Sequence, residues 1–292
     1  MKKLRLVAAF LLCIMLTSCA NKTTQEATST EETPAPAYTT LQLTESALHT
    51  GSLILVNAAH RYDDAQAVLT SVWEGKTDRY FIKATDMVID PVALSALNEW
   101  MDAAFANSGV TDVNIISSFR SEAEQQSLYD NALQSKGQAY ADKYFMRPGY
   151  SEHHTGLSID LALYDIDTGI SADFPGSASQ VWAAEHACDF GFIQRYPVSK
   201  RSITGVDFES WHYRYVGVPH ACYIYQNRLC LEEYIELLKA YPYLGEHLFV
   251  LCGGTNYEIW YCEGLEVTVP TDRGYDISGN NEDGFIVTVT QP

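Results

Sequence analysis

Positive charge is scarce in this sequence: 19 Lys and Arg stand against 37 Asp and Glu, a formal net charge of −18 over 292 residues. A nucleic-acid binder needs a basic footprint, so that class is excluded. Long apolar runs are missing too. The run from Leu6 to Leu16 is too short to cross a bilayer as a permanent helix. Cysteine is sparse, with 7 residues, and no CxxC or Cys/His spacing suggests a thiolate metal site. With 18 Gly and 10 Pro the chain is not collagen-like. What remains is a 47% apolar composition, ample for one large domain or two small ones.

The N-terminus carries Lys2, Lys3 and Arg5 ahead of the apolar run, so residues 1–18 read as a secretory signal peptide. Leu16-Thr17-Ser18-Cys19 resembles the bacterial lipobox. The expectation is a diacylated Cys19 as first mature residue, which attaches the protein through a lipid anchor only to the outer face of the cytoplasmic membrane. The plainer reading is a cleaved signal with an incidental cysteine. Residues 19–50 are dominated by Thr, Ser, Glu, Ala and Pro and read as a flexible tether. An acidic protein gains nothing from an anionic envelope, so its partner must be recognised by a site rather than by bulk charge. Beyond Cys13 and Cys19, the cysteines Cys188, Cys222, Cys230, Cys252 and Cys262 form an odd set whose pairing stays open.

The folded part is expected to start near Ser52, with a main domain over 51–242 and a small β-hairpin extension over 243–292. Pro91 to Ser108 places Leu94, Leu97, Met101 and Ala104 at helical spacing, and Gly109 ends the helix. Val113–Ile116 reads as a strand, and Ser121 with Glu124 forms a capping box for a second helix. From Leu157 to Leu163 the residues alternate, with Leu157, Ile159, Leu161 and Leu163 facing the core and Asp160 on the other face. Ala178–Cys188 and Leu231–Tyr241 read as helices, and Phe192–Ile193 and Trp211–Val216 as strands. After Pro242 the segments Leu248–Leu251, Tyr257–Tyr261, Leu265–Val269 and Phe285–Thr290 read as hairpin strands.

Two segments carry chemistry. In Ser151–Asp160, His153 and Asp160 offer one nitrogen and one oxygen, a pair that zinc accepts. Seven residues apart, they fall on opposite faces of a uniform strand, and Gly156 supplies the break that lets them converge. In Phe208–Tyr215, His212 completes three protein ligands and leaves a fourth position for water. Glu209 then serves as general base from a loop or bulge before the strand. Taken singly these signals are weak: a lone histidine is more often structural, and Trp-His-Tyr-Arg-Tyr alone reads as a packed strand.

Together the segments resemble the VanY/VanX-type zinc D,D-carboxypeptidases, a family that includes L,D-carboxypeptidases acting on peptidoglycan stems. Ser151, His153, Gly156, Ser158 and Asp160 meet one family pattern, and Glu209, Trp211 and His212 a second. Phe119-Arg120-Ser121 with Gln125 meets a third, with Phe119 in place of the usual tyrosine, and Leu55-Val56-Asn57 looks like the start of the domain. The resemblance covers roughly residues 52–242 and leaves the C-terminal hairpins outside. It implies an α+β fold, with helices around a small antiparallel sheet bearing the zinc site, to which the hairpin strands read above add a small C-terminal β extension. It implies Zn²⁺ held by His153, Asp160 and His212, with Glu209 as base. Arg120 would stabilise the oxyanion or grip the substrate carboxylate, and Gln125, Ser151 and Trp211 would contact substrate. The expected activity is removal of a terminal D-alanine from peptidoglycan stem peptides. L,D-carboxypeptidase or endopeptidase specificity on the same site, and a non-catalytic envelope-binding lipoprotein, are the alternatives. His154 is expected at the rim of the site. Tyr196, His186, His220 and His247 have no motif support and are expected to be structural or surface groups.

Overall fold

Helix α1 (Pro91–Ser108) forms where the local signals predict it: Asp90 accepts from the backbone N–H groups of Val92 and Ala93, Pro91 occupies the first turn, and Gly109 closes the helix at φ 71. The computed structural model describes residues 37–292 apart from 170 and 177. The signal peptide and Cys19 lie outside the described residues. Among those described, no helix is long and apolar enough to cross a membrane.

The strands of the main sheet and its surroundings begin with β1 (Tyr38–Gln42), β2 (Phe81–Ile82), β3 (Val113–Ser117), β4 (Ser158–Tyr164) and β5 (Ser171–Asp173). With β6 (Phe192–Gln194) and β7 (His212–Tyr215), the main sheet runs β2-β3-β4-β7-β6, and β5 pairs with β4. Thr70–Ser71 and Val88–Ile89 form a separate short antiparallel pair. The expectation of an antiparallel sheet needs one correction, because β2 lies parallel to β3. The other pairs of the main sheet are antiparallel. Leu94, Leu97, Trp100 and Met101 of α1 are buried against Ile115, Ile159, Leu161 and Tyr213 of the sheet. The indole of Trp100 is satisfied by the carbonyl of Ala183, 2.8 Å away, in α4 (Ala178–Glu185). The helices between them are α2 (Glu122–Lys136), whose Ser121–Glu124 capping box is present, and α3 (Gln138–Tyr144).

Two more helices, α5 (Val218–Asn227) and α6 (Leu231–Leu238), lead to the C-terminal β segment. There β8 (Leu248–Cys252), β9 (Thr255–Glu263), β11 (Tyr275–Gly279) and β12 (Gly284–Thr290) form an antiparallel sheet in the order β8-β9-β12-β11. Strand β10 (Glu266–Pro270) pairs with β1 instead. This corrects the tether expected over 19–50: Tyr38–Gln42 is a strand, and Glu45–His49 a short 3-10 turn. An edge strand presents unpaired backbone groups that another segment can satisfy, and β1 does so for β10. Leu41, Leu43 and Leu48 then pack beside Trp260, Val267, Val269 and Phe285.

The C-terminal sheet shares a core with the rest of the protein. Leu248, Val250, Ile259 and Ile286 pack with Leu53, Leu55, Val216, Ile224, Leu231 and Leu238. A Cys222–Cys252 disulfide ties α5 to β8, while Cys188, Cys230 and Cys262 are free and buried. Helices α3 and α5 and strands β2, β5 and β11 are absent from the sequence expectations.

Candidate metal centre

The segment before β4 forms one tight 3-10 turn, Glu152–Thr155, closed by Gly156 at φ 73. A Cβ at Gly156 would meet Leu69 Cδ2 at 2.7 Å and the Asp90 backbone nitrogen at 3.0 Å, so the position needs glycine for both space and conformation. The chain then enters β4 with Asp160 directly opposite His212 of β7. The expected break at Gly156 is therefore present, and His153, Asp160 and His212 converge. His153 Nε2 lies 3.2 Å from Asp160 Oδ2, and His212 Nδ1 3.0 Å from Asp160 Oδ1. The three candidate ligand atoms all lie within 4.8 Å of one another.

The protonation pattern decides what can sit between them. His153 Nδ1 is 2.6 Å from the Ser118 carbonyl oxygen, an acceptor only, so Nδ1 carries the proton and Nε2 keeps its lone pair. His212 Nε2 is 3.3 Å from Glu152 Oε2, which draws the proton to Nε2 and leaves Nδ1 facing Asp160. The His153 lone pair, His212 Nδ1 and the buried Asp160 carboxylate thus meet. Such a meeting point fits a cation, and the N,N,O donor set suits zinc. The electrostatics of the site favour positive charge at this point. Burial opposes a charged His212 ring, but Asp160 and Glu152 outweigh it and lift the group to about 10. Burial likewise opposes charge on Asp160, yet His153 and His212 hold it well below the usual carboxylate range. For His153 burial wins and lowers the pKa, which keeps the ring neutral.

Glu209 lies in the loop before β7, as its spacing predicts, with its backbone N–H bonded to the Tyr196 carbonyl at 3.3 Å. Its Oε2 is 3.7 Å from His212 Nδ1. Burial raises its pKa against the opposing pull of His212, a shift that brings a carboxylate toward proton-transfer work. Arg120 follows β3 and faces the same cavity of about 340 Å³ as His153, Asp160, Glu209 and His212. Its guanidinium donates to Gln125 Oε1 at 2.8 Å and to Ser117 Oγ at 2.9 Å.

Gln125 also lines the cavity, but its Nε2 donates to the Met146 carbonyl at 2.6 Å. With Oε1 on Arg120 and Nε2 on the Met146 carbonyl, Gln125 braces Arg120 at the cavity wall. Ser151 is buried and Trp211 half-buried, and both line the cavity. His154 departs from the rim position expected for it. It is fully buried, with Nδ1 donating to the Arg120 carbonyl at 2.6 Å and Nε2 accepting from the Gly149 N–H at 3.0 Å. Tyr196, without motif support, lines the cavity with its ring centroid 5.0 Å from that of His212. Glu152 went unrecognised in the sequence. The available signal was Arg214, a charge inside a β-prone aromatic run, which demands a buried partner. A larger cavity of about 720 Å³ lies elsewhere, lined by Val181, Ile224 and Leu229, and contains none of the candidate ligands.

Comparison with known proteins places these residues in context. The family model for VanY, D-alanyl-D-alanine carboxypeptidase, matches residues 86–218. A D-alanyl-D-alanine carboxypeptidase of Enterococcus faecium is 34% identical over 262 residues, which is 85% of this chain and 78% of that protein. Among solved structures, the vancomycin-resistance D,D-dipeptidase VanXYg, in complex with a D-Ala-D-Ala phosphinate analogue, superposes with a TM-score of 0.76 at 32% identity. That match covers 87% of this chain and 100% of the other. A variant of the D,D-pentapeptidase VanY from a VanB-type resistance cassette, in complex with Zn(II), gives a TM-score of 0.51 at 34% identity. It covers 63% of this chain and 98% of its own. The mixed arrangement of helices and strands is that of these proteins. The Enterococcus faecium and VanXYg matches span more of the chain than residues 52–242, so the likeness is wider than the sequence motifs alone suggest.

Proposed function

The chain belongs to the VanY family of D-alanyl-D-alanine carboxypeptidases, which are zinc metallopeptidases, and from this we propose that it removes the terminal D-alanine from peptidoglycan stem peptides ending in D-Ala-D-Ala. The observation that carries this reading is the convergence of His153 Nε2, His212 Nδ1 and the Asp160 carboxylate beside Glu209. His153, Asp160 and His212 would hold the zinc ion. Bound there, zinc supplies Lewis acidity and lowers the pKa of a bound water to about 7.

The chain's own residues divide the remaining work. Glu209 takes the proton from the attacking water and returns it to the leaving amine. Arg120, held by Gln125 and Ser117, presents fixed N–H donors to the scissile carbonyl oxygen or to the substrate carboxylate. Ser151 and Trp211 line the cavity where the peptide end would lie. The signal sequence and lipobox support secretion and anchoring through a lipid on Cys19, at the outer face of the cytoplasmic membrane, where stem peptides are exposed.

A soluble form beginning at Ala37 tests the reading with defined pentapeptide and tetrapeptide stems and with free D-Ala-D-Ala, products being read by mass. Loss of one alanine from the pentapeptide, abolished by a chelator and restored by zinc, is the expected result. Loss from the tetrapeptide alone would reassign the enzyme as an L,D-carboxypeptidase. Cleavage of the free dipeptide would add the activity that the VanXYg likeness suggests. Glu209→Gln should lower kcat by about 10²–10⁴-fold while zinc stays bound; turnover at the unaltered rate would refute the assignment of the base.

A further inference from the structure

A glutamate, two arginines and a histidine form a charged cluster sealed under the metal site. The side chains of Glu152, Arg195 and Arg214 have no solvent exposure at all. Burying a carboxylate is costly unless it is paired and fully hydrogen-bonded, and here it is. Glu152 Oε1 receives Arg195 Nε at 2.8 Å and Arg214 Nη1 at 3.0 Å. Oε2 is left to His212 Nε2 at 3.3 Å and Ser158 Oγ at 3.4 Å.

Neither arginine is free to move. Arg195 forks onto Glu232 through contacts of 2.8 and 2.6 Å. Arg214 donates to the carbonyl oxygens of Ser52 and Ile54 at 3.1 and 2.8 Å and, through Nε, to that of Tyr215 at 3.0 Å. Two guanidinium groups anchored in this way fix the plane of the Glu152 carboxylate. Charge pairing accounts for the presence of Glu152. It does not account for the second oxygen, which is held on the ring of a candidate ligand.

We propose that Glu152 is a positioning residue for the metal site: its clamped Oε2 keeps the proton of His212 on Nε2 and thereby commits Nδ1 to the metal. This rests on the zinc reading above and deepens it. The turn that offers His153 as one ligand also reaches across the sheet to orient the other, so the two motif segments are coupled outside the metal as well as through it. A carboxylate on the far nitrogen of a ligating histidine also raises the ring's basicity toward the metal, and loss of such a partner typically costs 10–100-fold in affinity.

The test uses the full chain. Zinc affinity is measured by competition with a chromophoric chelator for the unaltered protein and for Glu152→Gln, with circular dichroism checking that both are folded. The variant should bind zinc about 10–100-fold more weakly. A folded variant of unchanged affinity overturns the proposal and leaves the zinc reading intact. An unaltered protein that binds no zinc overturns both. Should the Glu152→Gln substitution leave the arginines poorly paired and the variant unfolded, a second measurement uses only the unaltered chain, loaded with NMR-active cadmium and isotope-labelled histidine. Metal–nitrogen coupling at His212 Nδ1, with a slowly exchanging proton on Nε2, is the expected result. Coupling at Nε2 overturns the proposal.

Discussion

Acidification should loosen the seam between the helical domain and its C-terminal sheet through one histidine. His220 of α5 is buried, with Nδ1 2.7 Å from the Tyr234 hydroxyl in α6 and Nε2 3.0 Å from Thr288 Oγ1 in β12. Burial pushes its pKa from 6.5 down to about 3. The depressed value makes the folded state refuse a proton that the unfolded chain accepts. The contribution is therefore fully present above pH 6.5 and is lost as the pH falls from there toward 3. At 1.36 kcal/mol per unit, going from pH 7 to pH 5 should cost about 2 kcal/mol from this residue. Urea denaturation followed by tryptophan fluorescence at the two pH values measures the difference. His220→Gln cannot take up the proton in either state. Its absolute stability should be lower, because the two hydrogen bonds are compromised, but its loss between pH 7 and pH 5 should be smaller by about 2 kcal/mol. Equal losses in the two proteins would refute the reasoning.

Arg120→Lys keeps the charge but not the fork that Gln125 and Ser117 hold, so kcat should fall by about 10²–10³-fold with zinc content unchanged, as steady-state kinetics and metal analysis would show. Gly156→Ala places a Cβ within 3.0 Å of the Asp90 nitrogen at a φ of 73, and should cost more than about 1 kcal/mol in the same urea assay. Reduction of Cys222–Cys252, which spans 30 residues, should lower stability by about 3–4 kcal/mol and expose β8 to protease ahead of the main sheet.

What could be read in advance was written in neighbouring residues. The bounds of α1 follow from Asp90, Pro91 and Gly109, and the start of α2 from Ser121 and Glu124, because caps act within one helical turn. The candidate ligand trio and Glu209 were legible because ligand chemistry limits the residue types, and Gly156 marked where the chain must bend.

Tertiary structure alone decided the rest. Tyr38–Gln42 has the composition of a tether, and it is a strand only because the edge of β10, far along the chain, offers backbone groups to pair with. His154 departs from its expected rim position for a similar reason: whether a polar side chain faces the cavity or braces a neighbour depends on which backbone folds over it. Glu152 shows the division within a single turn. Its neighbour His153 declares itself by type and spacing, whereas Glu152 acquires its place only when Arg195 at the end of β6 and His212 and Arg214 of β7 close around it. Local sequence determines which groups are available and how the chain turns to present them. Long-range packing determines which of them meet, because burial makes an unpaired charge too costly to leave alone.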